Sequence, residues 1–227
     1  MTPDDTTRTD LPTIRDRIGK AALLAGRKPE EVGLIAVSKT RDAAAILPLL
    51  EAGHRMFGEN RVQETAAKWP DLRATYPDVQ LHLIGQLQSN KADEAVALFD
   101  VIHVVDRASL VTALARAMEK TGRRPDCFVQ VNIGDEEQKG GCAVADLPAL
   151  VDAARDAGLP VIGLMCLPPA DIEPAPYFAL LAKLARDHDL PALSMGMSDD
   201  YETAVTIGAT HVRIGSALFG PRMETLA

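Results

Sequence analysis

The chain has 227 residues, 47% of them hydrophobic, and a formal charge of −8 at neutral pH. That length allows one large domain or two small ones with a sizeable core, while the acidic balance and scattered Lys and Arg argue against a general binder of nucleic acid or acidic membranes. Cys127, Cys142 and Cys166 are widely spaced with no CxxC pair, so neither a disulfide framework nor a zinc ribbon is indicated, and a reducing compartment fits.

Residues 1–10 are polar, lack a hydrophobic segment and read as a flexible tail. No run approaches the ~20 apolar residues of a membrane span, so a soluble cytoplasmic protein is expected. Leu11, Ile14, Ile18, Ala21, Ala22 and Ala25 recur at helical spacing, with Gly26 as a stop, and predict a leading helix. Residues 34–37 then make a short apolar strand running into Ser38-Lys39-Thr40, and alternation places Ile35, Val37 and Lys39 on one face. Helices are predicted at 43–52, 62–69, 89–99, 108–121, 147–157, 177–187 and 200–207. Strands are predicted between them at 55–58, 79–85, 101–105, 127–133, 161–166, 192–195 and 211–214. No Pro/Gly/Ser-rich linker or low-complexity tract divides the chain. Eight strands, each followed by a helix or short connection, predict a single (β/α)8 barrel domain over residues 11–227 with an extra N-terminal helix. An open doubly wound sheet is the alternative.

Lys39 follows buried residues on its own strand face. An ammonium there is desolvated unless it is paired or neutralised as an imine, and the same desolvation makes the amine nucleophilic. On this stretch alone, a lysine that ends the strand and snorkels into solvent is the simpler account. A barrel, however, puts its chemistry at the carboxyl ends of its strands. Polar residues gather there: Asn60, His82, Asp106-Arg107, Gln130 and Asn132, Ser194 to Ser198, and Arg213 followed by Gly215-Ser216. Gly215-Ser216 precedes the apolar Ala217-Leu218-Phe219, so N–H groups and a hydroxyl could converge on an oxyanion, with Ser194, Gly196 and Ser198 in the neighbouring loop. The plainer readings are a turn and an N-cap at Ser198. A Schiff-base lysine and a phosphate cradle at one barrel mouth suggest pyridoxal 5′-phosphate. His54, His82, His103, His188 and His211 form no metal-ligand pattern.

Several segments resemble the YggS/PROSC family of pyridoxal phosphate homeostasis proteins. They are Ile35-Ala36-Val37-Ser38-Lys39-Thr40, Phe57-Gly58-Glu59-Asn60-Arg61-Val62-Gln63-Glu64, the stretch from His82 to Lys91, Gly163-Leu164-Met165, the stretch from Ser194 to Asp200, and the stretch from Val212 to Gly220. The resemblance runs in order over nearly the whole chain. It implies the barrel of the alanine racemase N-terminal domain, pyridoxal 5′-phosphate held as a covalent imine on Lys39, a role in vitamin B6 balance, and no established catalytic activity. By position it implies Arg213 facing the pyridine nitrogen and a phosphate among Ser194, Met195, Ser198, Gly215 and Ser216. Asn60 and His82 would lie beside the ring or its lysine, with Met165 below.

The chain departs from the family pattern at Gln86, where many relatives carry proline, and at Lys139-Gly140-Gly141-Cys142, where relatives more often have a single glycine. Both departures lie in loops that shape the rim. The racemases of this fold also use a tyrosine from a partner subunit and an added β domain. Only residues 221–227 follow the last matching segment, and Tyr76, Tyr177 and Tyr201 fall in predicted helix or loop. A monomeric carrier without catalysis is therefore expected, with pyridoxal phosphate itself, apoenzymes that use it and enzymes of B6 metabolism as partners. A low-efficiency amino-acid racemase and a regulatory interaction protein are the alternatives.

Overall fold

The computed structural model describes residues 10–220; the tail predicted over residues 1–10 lies, except for Asp10, outside the described residues. A leading helix, α1 (Leu11–Leu24), starts where the Asp10 carboxylate accepts the Thr13 N–H at 2.8 Å and buries Leu11, Ile14, Ile18, Ala21 and Ala22. After it come β1 (Gly33–Val37), α2 (Ala43–Glu51), β2 (Met56–Glu59), α3 (Val62–Thr75), β3 (Gln80–Leu83) and α4 (Ala92–Leu98). The second half continues with β4 (Val101–Val105), α5 (Ala108–Thr121), β5 (Asp126–Val131), α6 (Leu147–Asp156), β6 (Val161–Cys166) and α7 (Ala175–Asp187). It closes with β7 (Ala192–Ser194), α8 (Tyr201–Ile207), β8 (His211–Ile214) and a single turn, α9 (Ser216–Phe219). No helix among the described residues is long and apolar enough to cross a membrane.

All eight strands are parallel and close in sequence order, with β8 pairing β1. That last pairing excludes the open sheet. Most elements lie within a few residues of their predicted extents, and two helices differ most. The helix predicted to stop at Trp69 runs on through Pro70 to Thr75, because Trp69 and Leu72 continue one buried face whose burial outweighs the hydrogen bond lost and the crowding caused at Pro70. The helix predicted from Ser89 begins at Ala92, after a turn of 3-10 helix over Ser89–Lys91.

The strands divide their residues between two environments. Leu34, Ala36, Leu81, Leu83, Ile102 and Val104 belong to the apolar core packed under the helices. The alternate residues face the barrel interior, and several are polar: His82, His103, Gln130, Ser194 and Arg213 are all buried. The contacts fix this inward direction, since His103 on β4 reaches Ser194 on β7 at 2.9 Å, a bond that only the barrel's inside can hold. His82 Nδ1 lies 2.9 Å from His103 Nε2, and the rings of His82, His103, Phe128 and His211 pack together at centroid distances of 4.4–6.1 Å.

Gly85, just after β3, admits a close approach. A Cβ there would fall on the carbonyl oxygen and α-carbon of Asn60, in the loop after β2. Gly85→Ala should therefore force the two loops apart and cost about 1–3 kcal/mol. Thermal unfolding reads this as a fall of several degrees; an unchanged midpoint would show that the loops yield freely.

The interior histidines make a second expectation. Desolvation pushes His82 down to about 3 and His54 and His211 down to about 4, from an ordinary 6.5, and holds His103 well below its usual value. The unfolded chain then takes up protons first as pH falls. Stability is full above about pH 6.5 and is lost below it, by up to ~1.4 kcal/mol per pH unit for each histidine until the folded values are reached. Asp126 and Asp200, raised by burial, offset part of this loss at its acid end. Denaturant unfolding from pH 7.5 to 4.5 should show the midpoint falling steadily below pH 6.5; a flat profile would contradict neutral interior histidines.

Candidate functional site

At the carboxyl ends of the strands a cavity of about 450 Å³ opens, walled by Lys39, Asn60, Ser198, Arg213, Gly215 and Ser216. The parallel register sets Ile35 of β1 opposite Arg213 of β8, so the chain leaving β1 emerges beside the chain leaving β8. Val37 and Lys39 line the cavity, and Gly215 sits against Val37 where the two chains run side by side. The loops after β7 and β8 meet through their hydroxyls, Ser216 Oγ donating to Ser198 Oγ at 3.1 Å. Arg41 closes a further edge: its guanidinium donates to the Gly220 carbonyl at 2.7 Å and lies 5.8 Å above the Phe219 ring.

The turn that presents Lys39 is fastened from behind. Thr40 stands at φ 61°, a left-handed conformation uncommon for a β-branched residue, and its N–H donates to Glu64 Oε1 at 2.6 Å. Lys68 Nζ donates to the Ser38 carbonyl at 2.9 Å and the Arg41 carbonyl at 3.0 Å. That ammonium is neutralised at 2.6 Å by Glu59 Oε1, which also accepts from Ser38 Oγ and Trp69 Nε1 at 2.6 and 3.0 Å.

Arg213 is buried under the cavity floor with one surface exposed to it. It donates to Ser194 Oγ at 2.6 Å and to the Cys166 carbonyl at 2.9 Å. Burial lowers its pKa, with Cys166 and Asp200 acting in the opposite direction, and a guanidinium stays charged in such a site. His103 and His211, which face it inside the barrel, are kept neutral by the same burial. Arg213 can only donate, so Ser194 accepts from it and can pass its own proton to His103 Nδ1. His103 then carries hydrogen on Nε2 and donates to His82 Nδ1. His82 Nε2 has no partner among the described residues.

Six of the ten predicted site residues thus share the cavity wall, and four do not. Ser194 is fully buried between Arg213 and His103. Met195 points the other way, into the helix-packed core, and its N–H is engaged by the His211 carbonyl at 3.1 Å. His82 and Met165 are buried one layer below the mouth. The reason is strand periodicity. Two residues further along the same faces stand Ile84 and Leu167, and these do line the cavity. Sequence reasoning also missed Arg41 and Met197 on the wall. The alternation rule would have found Ile84 and Leu167, whereas Arg41 and Met197 are placed by loops that carry no such signal.

Both departures at the rim have a structural account. The Gln86 amide lies over the α-carbon of Gly140, in space that a side chain there would take. Gly141 stands at φ 119°, and a Cβ would fall on the backbone of Asn132. The second glycine lets Cys142 bridge back to Val131, with Asn132 N–H donating to the Cys142 carbonyl at 2.8 Å.

The domain family "Alanine racemase, N-terminal domain" matches residues 9–223. A pyridoxal phosphate homeostasis protein of Pseudomonas aeruginosa is 43% identical over 220 residues, covering 94% of each chain. One of Escherichia coli is 40% identical, covering 94% of this chain and 95% of that one. Among solved structures, PipY of Synechococcus elongatus with PLP bound aligns at a TM-score of 0.78 and 40% identity, over 91% of this chain and 100% of its own. Barrel, mouth and sequence together make this chain a member of the pyridoxal phosphate homeostasis protein family, within the alanine racemase N-terminal-domain fold.

Proposed function

We propose that the chain holds pyridoxal 5′-phosphate in this cavity through a Schiff base to Lys39, and keeps it available to apoenzymes and to other enzymes of vitamin B6 metabolism. It acts as a cytoplasmic monomer and a single barrel domain over residues 11–227, as a carrier and not a catalyst. The observation that carries this reading is the convergence of a half-buried lysine amine, two serine hydroxyls and a buried guanidinium on one cavity. Its volume falls in the range of small-ligand clefts, about 300–1,000 Å³. PipY, solved with PLP bound, supports the same ligand.

The donor set fits the cofactor's parts. Ser198 and Ser216 with the backbone at Gly215 suit a phosphate; the Arg213 fork suits the ring nitrogen, and Asn60 the ring's polar edge. Ser194 and His82 act from below through Arg213, while Met165 packs the layer beneath and Met195 packs on the helix side of β7. When bound, the cofactor supplies an electrophilic aldehyde on an electron-withdrawing ring. Arg213 cannot accept a proton from that ring nitrogen and opposes its protonation, which weakens the ring as an electron sink.

The purified protein should show a Schiff-base absorption band that borohydride abolishes, with a pyridoxyl-phosphate mass increment mapping to Lys39. Lys39→Ala should lose the increment and keep its melting temperature within a few degrees, because the side chain stands at the rim and not in the core. No band, and no uptake of added pyridoxal phosphate, would overturn the reading.

A further inference from the structure

We propose that one face of α3 is the positioning device for Lys39, with Glu64 and Lys68 as its positioning residues; this rests on the reading that Lys39 carries the cofactor. The two side chains are four residues apart and so project from the same face of the helix. Between them they grip the backbone on both sides of Lys39: Glu64 takes the Thr40 N–H, and Lys68 takes the carbonyls of Ser38 and Arg41. The Ser38 carbonyl also accepts the Arg41 N–H at 3.1 Å, which closes the turn.

Two features of this clamp are unusual enough to ask for a purpose. Thr40 is held in a left-handed conformation that persists only where its surroundings impose it. Lys68 is almost entirely buried, with its side chain 9% exposed, and needs the fully buried Glu59 to neutralise it. Buried ion pairs are often no more stabilising than apolar pairs of similar volume. What the ion pair adds is direction, because the ammonium donates at once to both carbonyls that flank the lysine's turn.

The Lys39 amine forms its Schiff base by bonding to the aldehyde carbon; a C=N bond replaces C=O and the oxygen leaves as water. That step depends on the amine standing at bonding distance, and a displacement of about 1 Å costs up to ~10²-fold. The serine-bearing loops that suit the phosphate follow β7 and β8, not α3, and make no part of the clamp. Loosening α3's grip should therefore spare noncovalent capture and impair the covalent step.

The test uses the full chain with saturating pyridoxal phosphate, and pyridoxine 5′-phosphate, which lacks the aldehyde, as the probe of noncovalent binding. Wild type is compared with Glu64→Ala, Glu64→Gln and the double variant Glu59→Gln/Lys68→Met, which removes both buried charges together. Glu64→Ala and the double variant should slow the rise of the Schiff-base band about tenfold or more. Both should bind pyridoxine 5′-phosphate as wild type does, and Glu64→Gln, which keeps an acceptor for Thr40, should restore the rate. Wild-type rates in Glu64→Ala, or an equal loss of both ligands, overturns the proposal. Should the double variant fail to fold, the Glu64 pair decides alone, since that side chain is only partly buried. A wild type that traps no cofactor on Lys39 would instead overturn the underlying reading.

Discussion

β1 and β8 come from opposite ends of the chain, and their parallel pairing is the constraint on which the site depends. The register of Ile35 with Arg213 carries a lysine and an arginine to adjoining positions at one mouth. The seam is reinforced outside the barrel, where α1 packs against α8 and Arg27 donates to the carbonyls of Val205 and Ala209. A loop-level account of the site would miss this: the donors sit on short connections, but strand order brings those connections together.

The second constraint is electrostatic. A guanidinium inside a barrel needs acceptors and cannot tolerate another cation, and the interior meets both needs with neutral groups. Ser194 and the Cys166 carbonyl accept from Arg213, and the histidines beyond are held uncharged by the same burial that surrounds them. The buried ammonium of Lys68 is handled differently, by a full carboxylate partner in Glu59. One cation is thus left with its charge available at the cavity, and the other is neutralised and used only for direction.

The eight β/α units were legible because each strand is a short apolar run and each helix repeats its apolar face; those signals are local. The rim was legible in part, since Lys39, Asn60, Ser198, Arg213, Gly215 and Ser216 follow strand ends. Depth was not. His82 and Met165 lie on the right faces but one layer too low, and Ser194 and Met195 differ in direction by the alternation of adjacent residues. The Glu59–Lys68 pair was also invisible, because its partners are brought together by the packing of α3 on β1 and β2. No spacing along the chain announces a buried ion pair.

The contact of Gln86 with Gly140 joins the loop after β3 to the loop after β5, across the strand between them. Neither residue is a free choice while the other stays: a side chain at 140 displaces the amide, and a shorter residue at 86 leaves the glycine uncovered. The rim is therefore inherited as a matched pair of loops. Grafting either one alone into a related barrel would carry over a bump or a gap along with the intended sequence, so the unit of exchange at this mouth is the two loops together.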